Sequence, residues 1–146
     1  MTHGIRAVFV DVDGTCVFCD ARNRRAIEMA AADGGFEITP CHWAQLSGAG
    51  DKEIFYRIMA MLGDDAPLRQ QFLDSYQTAE DFELACLGYY LQKRNEVKTN
   101  GPVYSLVQDF MQRAIPVAPV SNAMRTAVHD NLEVTSYPVK KFAFML

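Results

Sequence analysis

The sequence predicts an α/β protein: a small parallel sheet interrupted by an inserted α-helical bundle. Two short apolar runs, residues 5–10 and 115–120, each end in a polar motif, as buried parallel strands do when they lead into a binding loop. About eighty residues of helical periodicity separate them, the pattern of a helical block inserted between two sheet elements. The 49% hydrophobic and 22% charged content is that of a globular protein.

A chain of 146 residues suits one domain, or one domain carrying a large insertion. The formal charge of −4 supplies no electrostatic reason to expect nucleic acid or an anionic membrane as partner. No apolar h-region precedes the first strand and no run is long enough to span a bilayer, so the expected location is the cytoplasm.

In chain order, the first strand is apolar except at Arg6 and is expected to be covered on both faces. Asp20 caps a helix to about Asp33, which Gly34-Gly35 stop. Thr39 as N-cap and Pro40 as first helical residue start a second, short helix. Ser47-Gly48-Ala49-Gly50 breaks the pattern, and Asp51 or Lys52 opens a third helix with Ile54, Phe55, Ile58, Met59 and Leu62 on one face. A long helical region, about residues 68–93, bends or splits near residues 77–79. Its apolar set, Phe72, Leu73, Tyr76, Phe82, Leu84, Leu87, Tyr90 and Leu91, reads as bundle core. Residues 95–101 read as a polar linker, and Pro102 begins a helix to about Arg113. In the second strand Pro119 is awkward, because a central strand loses a donor there unless it bulges or breaks. Residues 124–132 are helical, and the apolar tail, residues 142–146, is expected to form a third strand.

The chemistry lies at the strand ends. Asp11-Val12-Asp13-Gly14-Thr15 places two carboxylates at i and i+2 beyond the first strand, on one side of the chain. Gly14 permits the sharp turn. The alternative is an ordinary acidic turn. Val120-Ser121-Asn122 ends the second strand, with a helix N-cap as its alternative. Four cysteines include Cys16-Val17-Phe18-Cys19, a C-x-x-C. A closed zinc site would need Cys41-His42 as its second pair, and two incidental buried cysteines are the preferred reading.

Taken together, these residues resemble the haloacid dehalogenase-like (HAD) superfamily of phosphohydrolases, in its helical-cap members of the phosphoglycolate phosphatase and β-phosphoglucomutase type. The resemblance rests on Asp11-Val12-Asp13-Gly14-Thr15, on Val120-Ser121-Asn122, and on Gly48-Ala49-Gly50-Asp51 as a glycine-containing cap turn. It implies a partial Rossmann-like core, residues 1–15 and 98–146, with a helical cap at residues 16–97. It further implies a Mg²⁺-dependent phosphatase acting on a small phosphorylated metabolite through an aspartyl-phosphate. Asp11 would be the nucleophile and Asp13 the general acid/base. Mg²⁺ would bind the Asp11 carboxylate and the Asp13 backbone carbonyl. Ser121, Asn122, Gly14 and Thr15 would bind phosphate, and Gly48, Gly50, Asp51 and Lys52 would face the substrate from the cap.

The family pattern also has a downstream lysine and downstream acidic residues. Here Lys140 and Lys141 stand in a different context, and no Asp or Glu follows Glu133. The expectation is therefore a truncated or frameshifted product, or a fragment, whose small core and uncovered sheet edge invite self-association. The alternatives are a non-catalytic remnant that binds a phosphate ester or a protein, and a phosphosugar mutase. A receiver domain with Asp11 as phospho-acceptor fits less well.

Overall fold

A computed structural model describes residues 4–143, which divide into two compact units, one of residues 4–22 with 94–143 and the other Asn23–Lys93. In the first unit, β1 (Val8–Asp11) and β4 (Val117–Val120) pair in parallel, with Val8 opposite Val117 and Asp11 opposite Val120. Val12, Cys16, Val17, Val107, Val117, Val128 and Leu132 form the buried cluster of this unit. Val107 comes from α6 (Gly101–Gln112), and Val128 and Leu132 from α7 (Arg125–Val134).

Three expectations about the sheet change. The first strand begins at Val8, and it is not covered on both faces: Val8 and Val10 pack into the cluster while Phe9 is 60% exposed. Pro119 causes no break. The amides of Val8 and Val12 donate to the carbonyls of Pro116 and Val120, so the even-numbered positions of β4 face β1. Pro119 points its missing N–H to the opposite edge, where the ladder with β1 loses nothing. On that opposite edge the amide of Ala143 donates to the Val117 carbonyl at 3.0 Å. The expected third strand is not formed at residues 142–143, and residues 144–146 lie outside the described ones. The linker also carries structure: a 3₁₀ turn at Arg94–Glu96, then β3 (Lys98–Thr99), antiparallel to β2 (Val17–Phe18).

The second unit contains most of α1 (Asp20–Asp33), then α2 (Pro40–Leu46), α3 (Asp51–Leu62), α4 (Ala66–Ser75) and α5 (Ala79–Gln92). The expected split of the long helix falls at residues 76–78. There the amide of Asp81 donates to Thr78 Oγ1 at 3.2 Å and the amide of Thr78 to Asp81 Oδ2 at 2.9 Å, a reciprocal cap that starts α5 afresh. Phe55, Phe72, Tyr76 and Phe82 form the centre, with ring centroids 5.2 Å apart for Tyr76–Phe82 and 5.9 Å for Phe72–Phe82. Tyr76 satisfies its buried hydroxyl by donating to the Ala30 carbonyl at 2.8 Å. Leu84, expected in the core, is 59% exposed.

Gly34 and Gly88 provide a test of this packing. A Cβ on Gly34 would lie 2.5 Å from Cδ2 of the buried Phe72, whereas Gly88, inside α5, has nothing within 4 Å. Urea unfolding of the whole chain should show Gly34→Ala destabilising by about 1–3 kcal/mol through overpacking. Gly88→Ala should stabilise by about 0.5–1 kcal/mol, because alanine loses less backbone entropy in a helix.

Candidate active site

The acidic loop is built on one carbonyl. Val12, fully buried, accepts from the amides of Thr15, Cys16 and Val17 at 3.3, 2.8 and 3.1 Å, while the amide of Gly14 donates to the Val17 carbonyl at 2.8 Å. That winding needs Gly14 at φ +82°, a conformation L side chains resist. It leaves Asp11 exposed at the end of β1 and Asp13 half-buried just beyond. Thr15 Oγ1 donates to Asp11 Oδ2 at 2.8 Å. Gly14 and Thr15 thus spend their amides, and Thr15 its hydroxyl, on shaping the loop and holding Asp11.

The two strand ends meet at Asp13. Ser121 Oγ, 108 residues away in sequence, donates to Asp13 Oδ2 at 2.7 Å and accepts from the amide of Ala123 at 3.0 Å. Ser121 and Asn122 are not a helix N-cap: α7 starts at Arg125, and Ser121 closes a turn ahead of it. Asn122 is exposed.

Asp13 Oδ1 has two further partners that the sequence motifs do not announce. Cys19 Sγ donates to it at 3.3 Å and Asn131 Nδ2 at 3.2 Å. Asn131 in turn accepts at Oδ1 from Arg22 Nη1, 2.8 Å away, and Arg22 Nη2 meets Asp130 Oδ2 at 2.7 Å. Arg94 Nη2 reaches the other oxygen of Asp130 at 2.8 Å. The Arg22 side chain has no exposed surface, so this guanidinium needs partners for its donors, and Asn131 and Asp130 take two of them. Asn131 carried one signal in the sequence. It is a polar residue on the α7 face that buries Ala127, Val128 and Leu132. Arg22 carried none, since it precedes Arg24 and Arg25 in what reads as a solvated charged run.

The Cys16 thiol is pushed up to about 11, chiefly by burial, which keeps it protonated at neutral pH and unsuited to bind metal or to attack. Among the described residues, no group of three or more His, Cys, Asp and Glu is placed to hold a metal ion. The oxygens of the expected Mg²⁺ pair do suit that ion. Asp11 is an exposed carboxylate, and Mg²⁺ accepts one carboxylate and a carbonyl when water and substrate complete its shell.

Gly48, Gly50, Asp51 and Lys52 belong to the second unit. Gly48 sits at φ +78°, and Gly50 is the N-cap of α3. Lys52 pairs with Glu80 at 3.0 Å and Glu83 at 3.6 Å. Asp51 is pushed up to about 6, first by burial and then by the Glu83 carboxylate.

No protein-family model and no curated protein matches the sequence. Solved structures do match. A predicted phosphoglycolate phosphatase from Haemophilus somnus superposes with a TM-score of 0.74 at 17% identity, over 100% of this chain and 64% of that one. CbbY from Rhodobacter sphaeroides, in complex with xylulose-1,5-bisphosphate, gives 0.73 at 20% identity, over 97% and 63%. A HAD family hydrolase from Deinococcus radiodurans with bound phosphate and sodium gives 0.58 at 17% identity, over 97% and 57%. The fold is therefore the HAD-like one shared by these solved structures, an α/β core with an inserted helical unit. The chain spans about three-fifths of the length of the solved structures it matches. No helix among the described residues is long and apolar enough to cross a membrane.

The raised Asp51 gives a pH-dependent expectation. Below about pH 3 the carboxyl is neutral whether the chain is folded or not, and Asp51→Asn should match the parent. As pH rises from about 3 through 6 the unfolded chain ionises first, so the parent loses stability. Above pH 6, urea unfolding should find Asp51→Asn more stable by roughly 2–3 kcal/mol.

Proposed function

We propose that the chain carries the nucleophile and the general acid of a phosphoric-monoester hydrolase, with a small phosphorylated metabolite as substrate. One observation supports this above the others: Asp13, held by Ser121 at 2.7 Å across the ends of β1 and β4, stands two residues from the exposed Asp11. Thr15 holds one Asp11 oxygen and so presents the other for attack on phosphorus. As the new oxygen–phosphorus bond forms, the bond to the leaving oxygen breaks, and that oxygen takes its proton from Asp13. Asp13 then accepts a proton from water, which attacks the aspartyl-phosphate, frees phosphate and restores Asp11.

Ser121 has a single hydroxyl proton. While Asp13 is a carboxylate that proton is committed to it. Once Asp13 carries its own proton, Ser121 can turn its hydroxyl to a phosphoryl oxygen, so phosphate binding and the acid form of Asp13 favour each other. Mg²⁺ bound at Asp11 and the Asp13 carbonyl would neutralise phosphoryl charge. Gly48, Gly50, Asp51 and Lys52, in the inserted unit, are proposed to select the substrate.

The test is phosphate release from p-nitrophenyl phosphate by monodisperse protein. Turnover should require Mg²⁺, stop with EDTA, and fall by at least about 10³-fold in Asp11→Asn. Saturable ester binding with no turnover and no phosphorylated Asp11 would instead identify a binding protein. Transfer to a sugar hydroxyl in preference to water would identify a mutase.

A further inference from the structure

We infer that Arg22 and Asn131 are a positioning pair that fixes the carboxylate of Asp13, an assignment that rests on reading Asp13 as the proton donor. The chemistry of the donors sets the direction of the chain. A guanidinium only donates, so Arg22 Nη1 at 2.8 Å requires the carbonyl oxygen of the Asn131 amide. The amide nitrogen is then the atom turned to Asp13 Oδ1, 3.2 Å away, where a carboxylate only accepts. An asparagine at this site, 1% exposed, can adopt one amide orientation and not the flipped one. Donation from Arg22 polarises the amide and strengthens its hydrogen bond to Asp13.

The pair fixes orientation as well as place. Ser121 holds Oδ2 and Asn131 holds Oδ1, from two separate elements, so rotation about the terminal torsion of Asp13 breaks one bond or both. That torsion is otherwise soft. Arg22 is held in turn through Asp130, which Arg94 grips from its other oxygen. The carboxylate of Asp13 is therefore tied, through Asn131 and Arg22, to the residues at which the chain leaves and re-enters the first unit.

A misaligned proton donor slows esters whose leaving group needs protonation and spares those whose leaving group does not. Because Asp13 is also the base for the second step, the split is read in kcat/KM, which reports only the steps up to release of the leaving group: Asn131→Leu should lower it for an alkyl phosphate such as glycerol 1-phosphate by about 10- to 100-fold. For p-nitrophenyl phosphate kcat/KM should change by less than about threefold. Because Asn131→Leu alone strands a buried guanidinium donor, the double variant Arg22→Met/Asn131→Leu, which removes both polar groups, is measured beside it and should show the same split. Equal losses on the two esters, or no loss on either, overturn the proposal. A second readout is independent of turnover. In ¹⁵N-labelled whole chain, the side-chain amide signal of Asn131 should shift in Asp13→Ala and in Arg22→Met. If it moves in neither, the proposal is overturned. If it moves while the parent hydrolyses neither ester, the positioning stands and the phosphatase reading fails.

Discussion

The arrangement of the site depends on the parallel register of β1 and β4. With Asp11 opposite Val120, each strand runs out at the same level, and the residues just beyond, Asp13 and Ser121, meet. Slipping the register by one residue would turn every side chain of a strand to the other face and separate this pair. The buried valines set the register: Val117, together with Val8 and Val10, packs into the cluster that Val12, Val128 and Leu132 also enter. Core packing and site geometry are thus one constraint, and a substitution that disturbs the first disturbs the second.

A second level of organisation comes from the loop after β1. Three amides converge on the Val12 carbonyl, so residues 12–17 form a tight coil with few internal freedoms. The coil turns the chain back so that Val17 is buried and pairs with Thr99, while Cys16 offers its carbonyl to the amide of Asn100 at 2.9 Å. The acidic loop and the segment where the chain returns from the inserted unit are held together by these bonds, all within the first unit. Asp130 adds to this by accepting Arg22 and Arg94 on separate oxygens.

Much of the fold was legible because its signals are local. Apolar spacing, Thr39-Pro40 and Gly34-Gly35 each mark a helix boundary through the chemistry of a few neighbouring residues, and α1, α2 and α3 begin and end where those residues place them. The two strand-end motifs were legible for the same reason. What escaped was non-local. Arg22 and Asn131 are 109 residues apart, and nothing near Arg22 distinguishes a buried arginine from the exposed ones that follow it. Cys19 had the wrong neighbours for a motif of its own, since its role follows from lying 3.3 Å from Asp13 and not from its spacing to Cys16. Pro119 looked disruptive because a sequence does not say which edge of a strand an absent donor faces.

That absent donor also limits what can join the sheet. Beyond β4, the outward edge offers the Val117 carbonyl, which the Ala143 amide already uses, but no amide at Pro119. A strand arriving there in parallel would find one acceptor left unanswered within a span of four residues. Such a vacancy discriminates among arrivals. A segment shaped to bypass position 119 can dock, and a generic extended chain from a neighbouring molecule forfeits a hydrogen bond worth about 1 kcal/mol. Proline at position 119 thus removes one donor from the outer edge while the ladder between β1 and β4 keeps all of its own.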